Sequence, residues 1–185
     1  VLFPFSGGSL IALYALNGIQ AWEVNLENSN IGSASASLGD FASDPAVFGS
    51  TIFAVGAFGE TFAANLNGKV LWRNNIQSSG RLIVSGNSAY YSSNNSSLGR
   101  LNSRNGKIVF LESFPGKKWV KYYGPLLLQN KLLVLATDKN AYWFSPQDGR
   151  LLNKEKLGKK ISSPPIVINK RLMFVSEDGM LNILN

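Results

Sequence analysis

The side chains that most often carry enzyme chemistry are absent from this sequence. It contains neither Cys nor His, so it cannot build a Ser-His-Asp triad, a Cys-His pair, a thiolate site or a histidine-ligated metal centre. Lys and Tyr could act as bases and paired carboxylates could exchange protons, but the 11 acidic residues are scattered along the chain. We therefore expect no enzyme: no catalytic residues, no metal site and no cofactor.

The composition favours a β-rich protein with a sizeable core. Of the 185 residues, 45% are hydrophobic, only 16% are charged, and 18 are Gly, which indicates frequent tight turns. The net charge of +7 suits either an anionic partner or plain solubility, and the dispersal of Lys over predicted turns favours solubility. The apolar window 46–66 is broken by Gly and polar residues, so we expect short strands there and no membrane span.

A turn motif recurs along the chain at intervals near forty residues. The motif is an Asn-Gly or Asp-Gly pair, and its glycines are Gly18, Gly68, Gly106 and Gly149. They are separated by 50, 38 and 43 residues. An aromatic residue follows four positions later at Trp22, Trp72 and Phe110, whereas Asn153 follows the last glycine. Such pairs are typical of type I′ hairpin turns, which need positive φ angles, and the period is typical of a four-stranded propeller blade.

Further strand-like segments complete each repeat. An apolar segment begins at Pro45, Pro125 and Pro165, because a strand tolerates Pro where no ladder donor is needed. We therefore predict an all-β fold, a β-propeller of four-stranded blades within one domain spanning residues 1–185. The approximate blade units are 1–26 (partial), 45–76, 81–114, 125–157 and 164–185 (partial). The two ends of the chain each supply three predicted strands, and together these are too many to complete one four-stranded blade. We therefore expect a partial ring, about four blades plus extra strands, of a longer propeller.

The aromatic residues of the repeat are expected to lie between neighbouring blades. Each lies on a predicted outer strand and offers a large apolar surface at one position. The predicted blade-packing residues are Trp22, Trp72, Phe110, Gly18, Gly68, Gly106 and Gly149.

The repeat resembles that of pyrroloquinoline-quinone (PQQ)-type propellers and, among them, the C-terminal half of the BamB-like lipoproteins of the bacterial outer-membrane protein assembly machine. Three features carry the resemblance: the order of the blades, the ending 177–185, and the long linker Glu27 to Asp44. The resemblance implies an eight-bladed ring and a non-catalytic, protein-binding scaffold. It also implies a location at the periplasmic face of the outer membrane, with a lipid anchor outside this chain.

The resemblance further implies a partner surface in the long linker. BamB-like proteins carry an Asp-x-Asp segment before the equivalent Pro, in a loop that contacts the POTRA domains of the barrel assembly protein BamA. Asp40 matches the first Asp, Ala42 replaces the second, and Asp44 is close enough to compensate. The predicted partner-binding residues are Asp40, Phe41, Asp44 and Leu38. Unfolded outer-membrane proteins are a second expected class of partner.

Two alternatives stay open from the sequence. A quinoprotein dehydrogenase fragment would share the repeat, but no acidic cluster here has metal-ligand spacing and the vicinal Cys pair of many such enzymes is missing. A basic propeller would bind nucleic acid or an anionic surface through segment 117–123, which mixes Lys with aromatic residues, and through the lysines of 154–160. We favour solvated inter-blade loops with the aromatic residues turned into the core, and we expect no nucleic acid partner.

Overall fold

Antiparallel strands make up the regular structure of the described chain. The computed structural model describes residues 1–5, 7–26, 41–56, 60–76, 78, 80–93, 95–116, 119–169 and 171–184. Within these ranges the chain forms 18 β-strands and no helix. The predicted all-β fold is thereby confirmed.

The strands form five sheets in which neighbours pair in chain order. The first sheet contains β1 (Leu2–Pro4), β2 (Ser9–Leu13) and β3 (Gln20–Asn25). The second contains β4 (Ala46–Phe48), β5 (Thr51–Val55), β6 (Thr61–Asn65) and β7 (Val70–Asn74). The third contains β8 (Ile83–Ser85), β9 (Ser88–Ser93), β10 (Ser97–Asn102) and β11 (Ile108–Ser113). The fourth contains β12 (Tyr122–Leu128), β13 (Lys131–Ala136), β14 (Asn140–Phe144) and β15 (Leu151–Lys156). The fifth contains β16 (Ile166–Ile168), β17 (Arg171–Val175) and β18 (Leu181–Leu184).

Each pair of consecutive sheets encloses its own hydrophobic cluster. Strand β13 shows why, because successive side chains of a strand point to opposite faces of the sheet. Leu132 and Val134 pack into the cluster shared with the third sheet, whereas Leu133 and Leu135 pack into the cluster shared with the fifth. All four side chains are fully buried. The nearly continuous apolar run of this strand is therefore explained by burial on both faces.

The fourth sheet begins earlier in the chain than the sequence pattern predicts, which placed its start at Pro125. Strand β12 begins at Tyr122, ahead of Pro125, and its register with β13 shifts between Tyr123 and Leu126. Pro125 lies within this irregularity, where its missing N–H interrupts no regular ladder bond.

The glycine hairpins are longer than the predicted type I′ turns. In that turn type both central residues have positive φ, but of Asn67 and Gly68 only the glycine does, at +80°. The bonds from Gly68 N to Asn65 O and from Asn65 N to Lys69 O enclose a longer loop. The register shifts beside it, between Ala63 and Ala64. The type I′ prediction is therefore wrong, because a single left-handed Gly next to a bulge closes this hairpin.

The aromatic residue of one sheet lies directly against the hairpin glycine of the next. A Cβ atom added to Gly106 would lie 2.5 Å from Trp72 Cε3, and one added to Gly68 would lie 2.7 Å from Trp22 Cγ. The indole nitrogens also reach the neighbouring hairpin, since Trp72 Nε1 donates to the Ser103 carbonyl at 2.9 Å. These glycines must therefore satisfy two demands, a positive φ angle and the absence of a side chain.

The same contact occurs once more and can be compared with a hairpin that lacks it. Phe110 Cε2 would lie 2.6 Å from a Cβ atom on Gly149. Gly18 has a similar backbone, with φ of +70°, but within the described chain no heavy atom lies within 4 Å of its Cβ position. Gly18 therefore isolates the cost of the backbone conformation from the cost of the clash.

We predict that Gly106→Ala destabilises the chain more than Gly18→Ala. Both substitutions put Ala into left-handed backbone, at about 1–2 kcal/mol. Only Gly106→Ala forces a methyl group into the Trp72 ring, which adds about 1–3 kcal/mol. Urea unfolding followed by circular dichroism measures both losses. Equal losses would show that the aromatic contact does not constrain Gly106.

Candidate partner-binding face

The turns of the five sheets fall into two groups at opposite ends of the strands. Because the strands are antiparallel and pair in chain order, successive turns alternate between the two ends. We call one end the hairpin face, which includes residues 14–19, 66–69, 103–107 and 146–150. We call the other the linker face, which in the described chain includes residues 41–45, 80–82, 119–121, 137–139, 157–165 and 177–180. The described parts of the connections between sheets belong to the linker face.

The predicted partner-binding residues belong to the first of these connections. Asp40 and Leu38 lie outside the described residues. Phe41 pairs with Gly56 and packs, half-buried, against the cluster between the first and second sheets. Asp44 is exposed two residues before the start of β4. The chain thus enters the second sheet with Phe41 as an apolar anchor and Asp44 as an accessible carboxylate.

A second group on the linker face lies where the chain enters the fourth sheet. Tyr122 stacks on Phe114 with ring centroids 4.2 Å apart and belongs to the core. Tyr123 is half-buried, and Lys121 Nζ lies 5.0 Å from its ring centroid. Trp119 behaves differently, because its side chain is 98% exposed. The expectation that the aromatic residues of this segment turn into the core is therefore right for Tyr122 and wrong for Trp119.

Asp138 organises the neighbouring turn. Its carboxylate accepts hydrogen bonds from the backbone N–H of Asn140 and from the hydroxyl of Tyr142. Burial raises the pKa of Tyr142 above the usual range for tyrosine, and the hydrogen bond to Asp138 is the second largest cause of this increase. A phenol that stays protonated at neutral pH serves as a hydrogen-bond donor and is unsuited to act as a base. Tyr142 therefore has a structural role in this turn.

Two ion pairs hold the connection that follows the fourth sheet against the fifth sheet. Lys159 Nζ lies 2.6 Å from Asp178 Oδ2, and Lys160 pairs with Glu177. The backbone follows the same route, since Glu177 N donates to the Lys160 carbonyl at 2.9 Å. The hydrogen bond from Lys159, followed by that from Ser176, lowers the pKa of Asp178 to about 2. These lysines of the predicted basic cluster are therefore already neutralised.

The described residues contain no group of acidic side chains placed to hold a metal ion. A separate search of the same residues finds no helix that is long and apolar enough to cross a membrane.

Comparison with known proteins first defines the fold class of the chain. The crystal structure of BamB from Moraxella catarrhalis superimposes with a TM-score of 0.86 over 98% of this chain and 54% of that chain, at 18% sequence identity. The five sheets therefore form a partial β-propeller, as predicted. A family model described as outer membrane protein assembly factor BamB matches residues 1–111. The chain belongs to the BamB family, and the resemblance of its PQQ-like repeat to that family is confirmed.

Curated relatives belong to the same family and show what share of their length this chain covers. The outer membrane protein assembly factor BamB of Legionella pneumophila (strain Paris) is 28% identical over 188 aligned residues, which cover 100% of this chain and 48% of that protein. The BamB of Escherichia coli (strain K12) is 22% identical and covers 93% of this chain and 44% of that protein. The chain thus spans about half the length of these relatives.

We predict that the ion pair of Asp178 contributes stability that acid removes. Its pKa is lowered from 3.8 to about 2 in the folded chain, so the contribution is complete above about pH 4 and disappears as the pH falls towards 2. Titration of the Asp178 carboxyl followed by NMR should show a midpoint near pH 2. In Lys159→Met the midpoint should move back towards 3.8, whereas Lys131→Met on the hairpin side of β13 should leave it unchanged. A Lys159→Met midpoint that stays near 2 would rule out Lys159 as the main cause.

Proposed function

We propose that the chain is part of a non-catalytic scaffold that assists the assembly of β-barrel proteins in the bacterial outer membrane. The observation that carries the proposal is the family match over residues 1–111, together with relatives named as outer membrane protein assembly factors. The scaffold acts at the periplasmic face of the membrane, held there by a lipid anchor outside this chain. Its partner is a BamA-like barrel assembly protein, with unfolded outer-membrane proteins as further clients.

The arrangement of the sheets supports a role in binding. Four hydrophobic clusters join consecutive sheets, so the strands provide a rigid base for the connections of the linker face. Binding residues are often found on loops held by such a base. Asp44 lies on this face with its side chain exposed, and Asp40 and Leu38 belong to the same connection in sequence. We propose that these residues, with Phe41 as the apolar anchor, contact the POTRA domains of BamA.

The test is binding of the chain to the isolated POTRA domains of the matching BamA. The double substitution Asp40→Asn and Asp44→Asn removes two charges without changing side-chain size, and we expect about tenfold weaker binding, equivalent to ~1.4 kcal/mol. Isothermal titration calorimetry measures the dissociation constant. Rising salt should weaken wild-type binding, because exposed charges are screened.

The matched control is Asp148→Asn, which removes an exposed carboxylate from the hairpin face. It should leave the dissociation constant unchanged. If Asp148→Asn weakens binding as much as the double variant, the contact does not lie at the linker. If the wild-type chain fails to bind at any salt concentration, the BamA contact is wrong and only the family fold remains.

A further inference from the structure

Three chain segments meet at the linker-face end of the fourth sheet. Thr137 N donates to the Lys121 carbonyl at 3.0 Å, and Lys121 N donates to Thr137 Oγ1 at the same distance. On the other side of this turn, Leu157 N donates to the Lys139 carbonyl at 2.8 Å. The incoming link, the turn between β13 and β14 and the outgoing link therefore form one continuous hydrogen-bonded surface.

A cavity of about 420 Å³ opens on this surface, and three of its lining residues are lysines. Lys139, Lys154 and Lys156 all contribute to the lining. Lys154 and Lys156 share one side of β15 because side chains alternate along a strand, and Lys154 Nζ lies 5.3 Å from the ring centroid of Tyr142. The ion pairs between described residues do not involve any of these three lysines.

The carboxylate in the cavity wall offsets only part of this charge. Asp138 accepts hydrogen bonds from Asn140 N and from the Tyr142 hydroxyl, which hold it in the turn. Three lysines and one carboxylate thus line the cavity, which leaves an excess of positive charge. The cavity has the electrostatic character of a site for a negatively charged group.

Trp119 adds an exposed apolar side chain on the incoming link. It precedes Lys121 by two positions on the incoming link, and its side chain is 98% exposed. Its backbone has φ of +76°, a conformation that is rare for a bulky side chain. Exposed Trp residues commonly become the energetic centre of an interface. We name Trp119, Lys121, Lys139, Lys154 and Lys156 the basic patch.

The distribution of charge indicates the kind of partner. An anionic membrane would be met by cations spread over the whole linker face, yet in the described residues Lys159 and Lys160 are paired with acids of the next sheet and Asp44 adds a negative charge. A single nucleic-acid strand is bound by a series of aromatic rings, whereas Trp119 is the one fully exposed ring among the described residues of this face. A cationic cavity beside one exposed Trp fits a short polypeptide segment.

We propose that the basic patch binds an acidic polypeptide segment that also carries an apolar side chain. A carboxylate of that segment enters the cavity between Lys139, Lys154 and Lys156, and the apolar side chain packs on Trp119. These residues belong to the connections and turns around the fourth sheet, whereas Asp44 lies before the second, and the proposal does not depend on a contact with BamA.

The test uses the whole chain and a fluorescein-labelled peptide rich in Asp and Glu with one central Leu. A second peptide of the same length carries Asn and Gln in place of the acids. Fluorescence anisotropy should show binding of the acidic peptide only. Trp119→Ala should weaken it by about 30-fold, and the pair Lys139→Glu and Lys156→Glu by at least about tenfold. The peptide should also protect wild-type tryptophan fluorescence from acrylamide quenching, and Trp119→Phe should abolish that protection.

Matched controls separate the patch from a general effect of charge or exposure. Lys131→Glu reverses an exposed lysine at the other end of the fourth sheet, and Leu16→Ala removes a fully exposed apolar side chain from the hairpin face. Both should leave the affinity unchanged. The proposal is overturned if the neutral peptide binds equally well, if Trp119→Ala has no effect, or if the chain does not bind the acidic peptide. Tighter binding to phosphatidylglycerol vesicles or to oligothymidylate would also overturn it.

Discussion

The contact between an aromatic ring and the hairpin glycine of the next sheet sets the spacing of the first four sheets. Trp22, Trp72 and Phe110 each occupy the place where a Cβ atom of the following hairpin would lie. A ring in van der Waals contact with backbone allows little lateral sliding of one sheet over the next, because packed interiors leave few voids. The indole hydrogen bonds from Trp22 to Leu66 O and from Trp72 to Ser103 O further fix the position of each hairpin.

This constraint acts at one end of the sheets and leaves the other end free for binding. The rings lie near the hairpin face, where the loops are short and closed by glycines. The linker face carries the longer connections, whose composition can vary without disturbing the aromatic contacts. Two surfaces of different charge lie there: the connection that ends in Asp44, and the basic patch around Trp119. One face of a rigid array of sheets therefore carries loops of distinct chemistry.

The sequence predicted the sheets well because their signals are local and repeated. Paired apolar segments around Gly68 and Gly106, and the aromatic residue four positions later, are visible without any knowledge of tertiary contacts. The turn type was wrong because Asn-Gly is compatible with several loops, and the bulge between Ala63 and Ala64 depends on the pairing of whole strands. The exposure of Trp119 was not predicted because a Trp between lysines has no sequence signal that distinguishes burial from exposure. The basic cavity could not be predicted either, since backbone bonds between distant segments bring Lys139 and Lys156 together.

A double-mutant cycle between Trp72 and Gly106 tests the aromatic contact most directly. If the ring constrains the glycine, Gly106→Ala should be much less destabilising in the Trp72→Ala background, because the clash is gone and only the backbone cost remains. We expect a coupling free energy of about 1–3 kcal/mol from urea unfolding of the four proteins. The control cycle pairs Trp72 with Gly149, which contacts Phe110, and should be additive to within about 0.5 kcal/mol. Additivity in both cycles would contradict the account, because the sheets would then be aligned by their hydrophobic clusters alone.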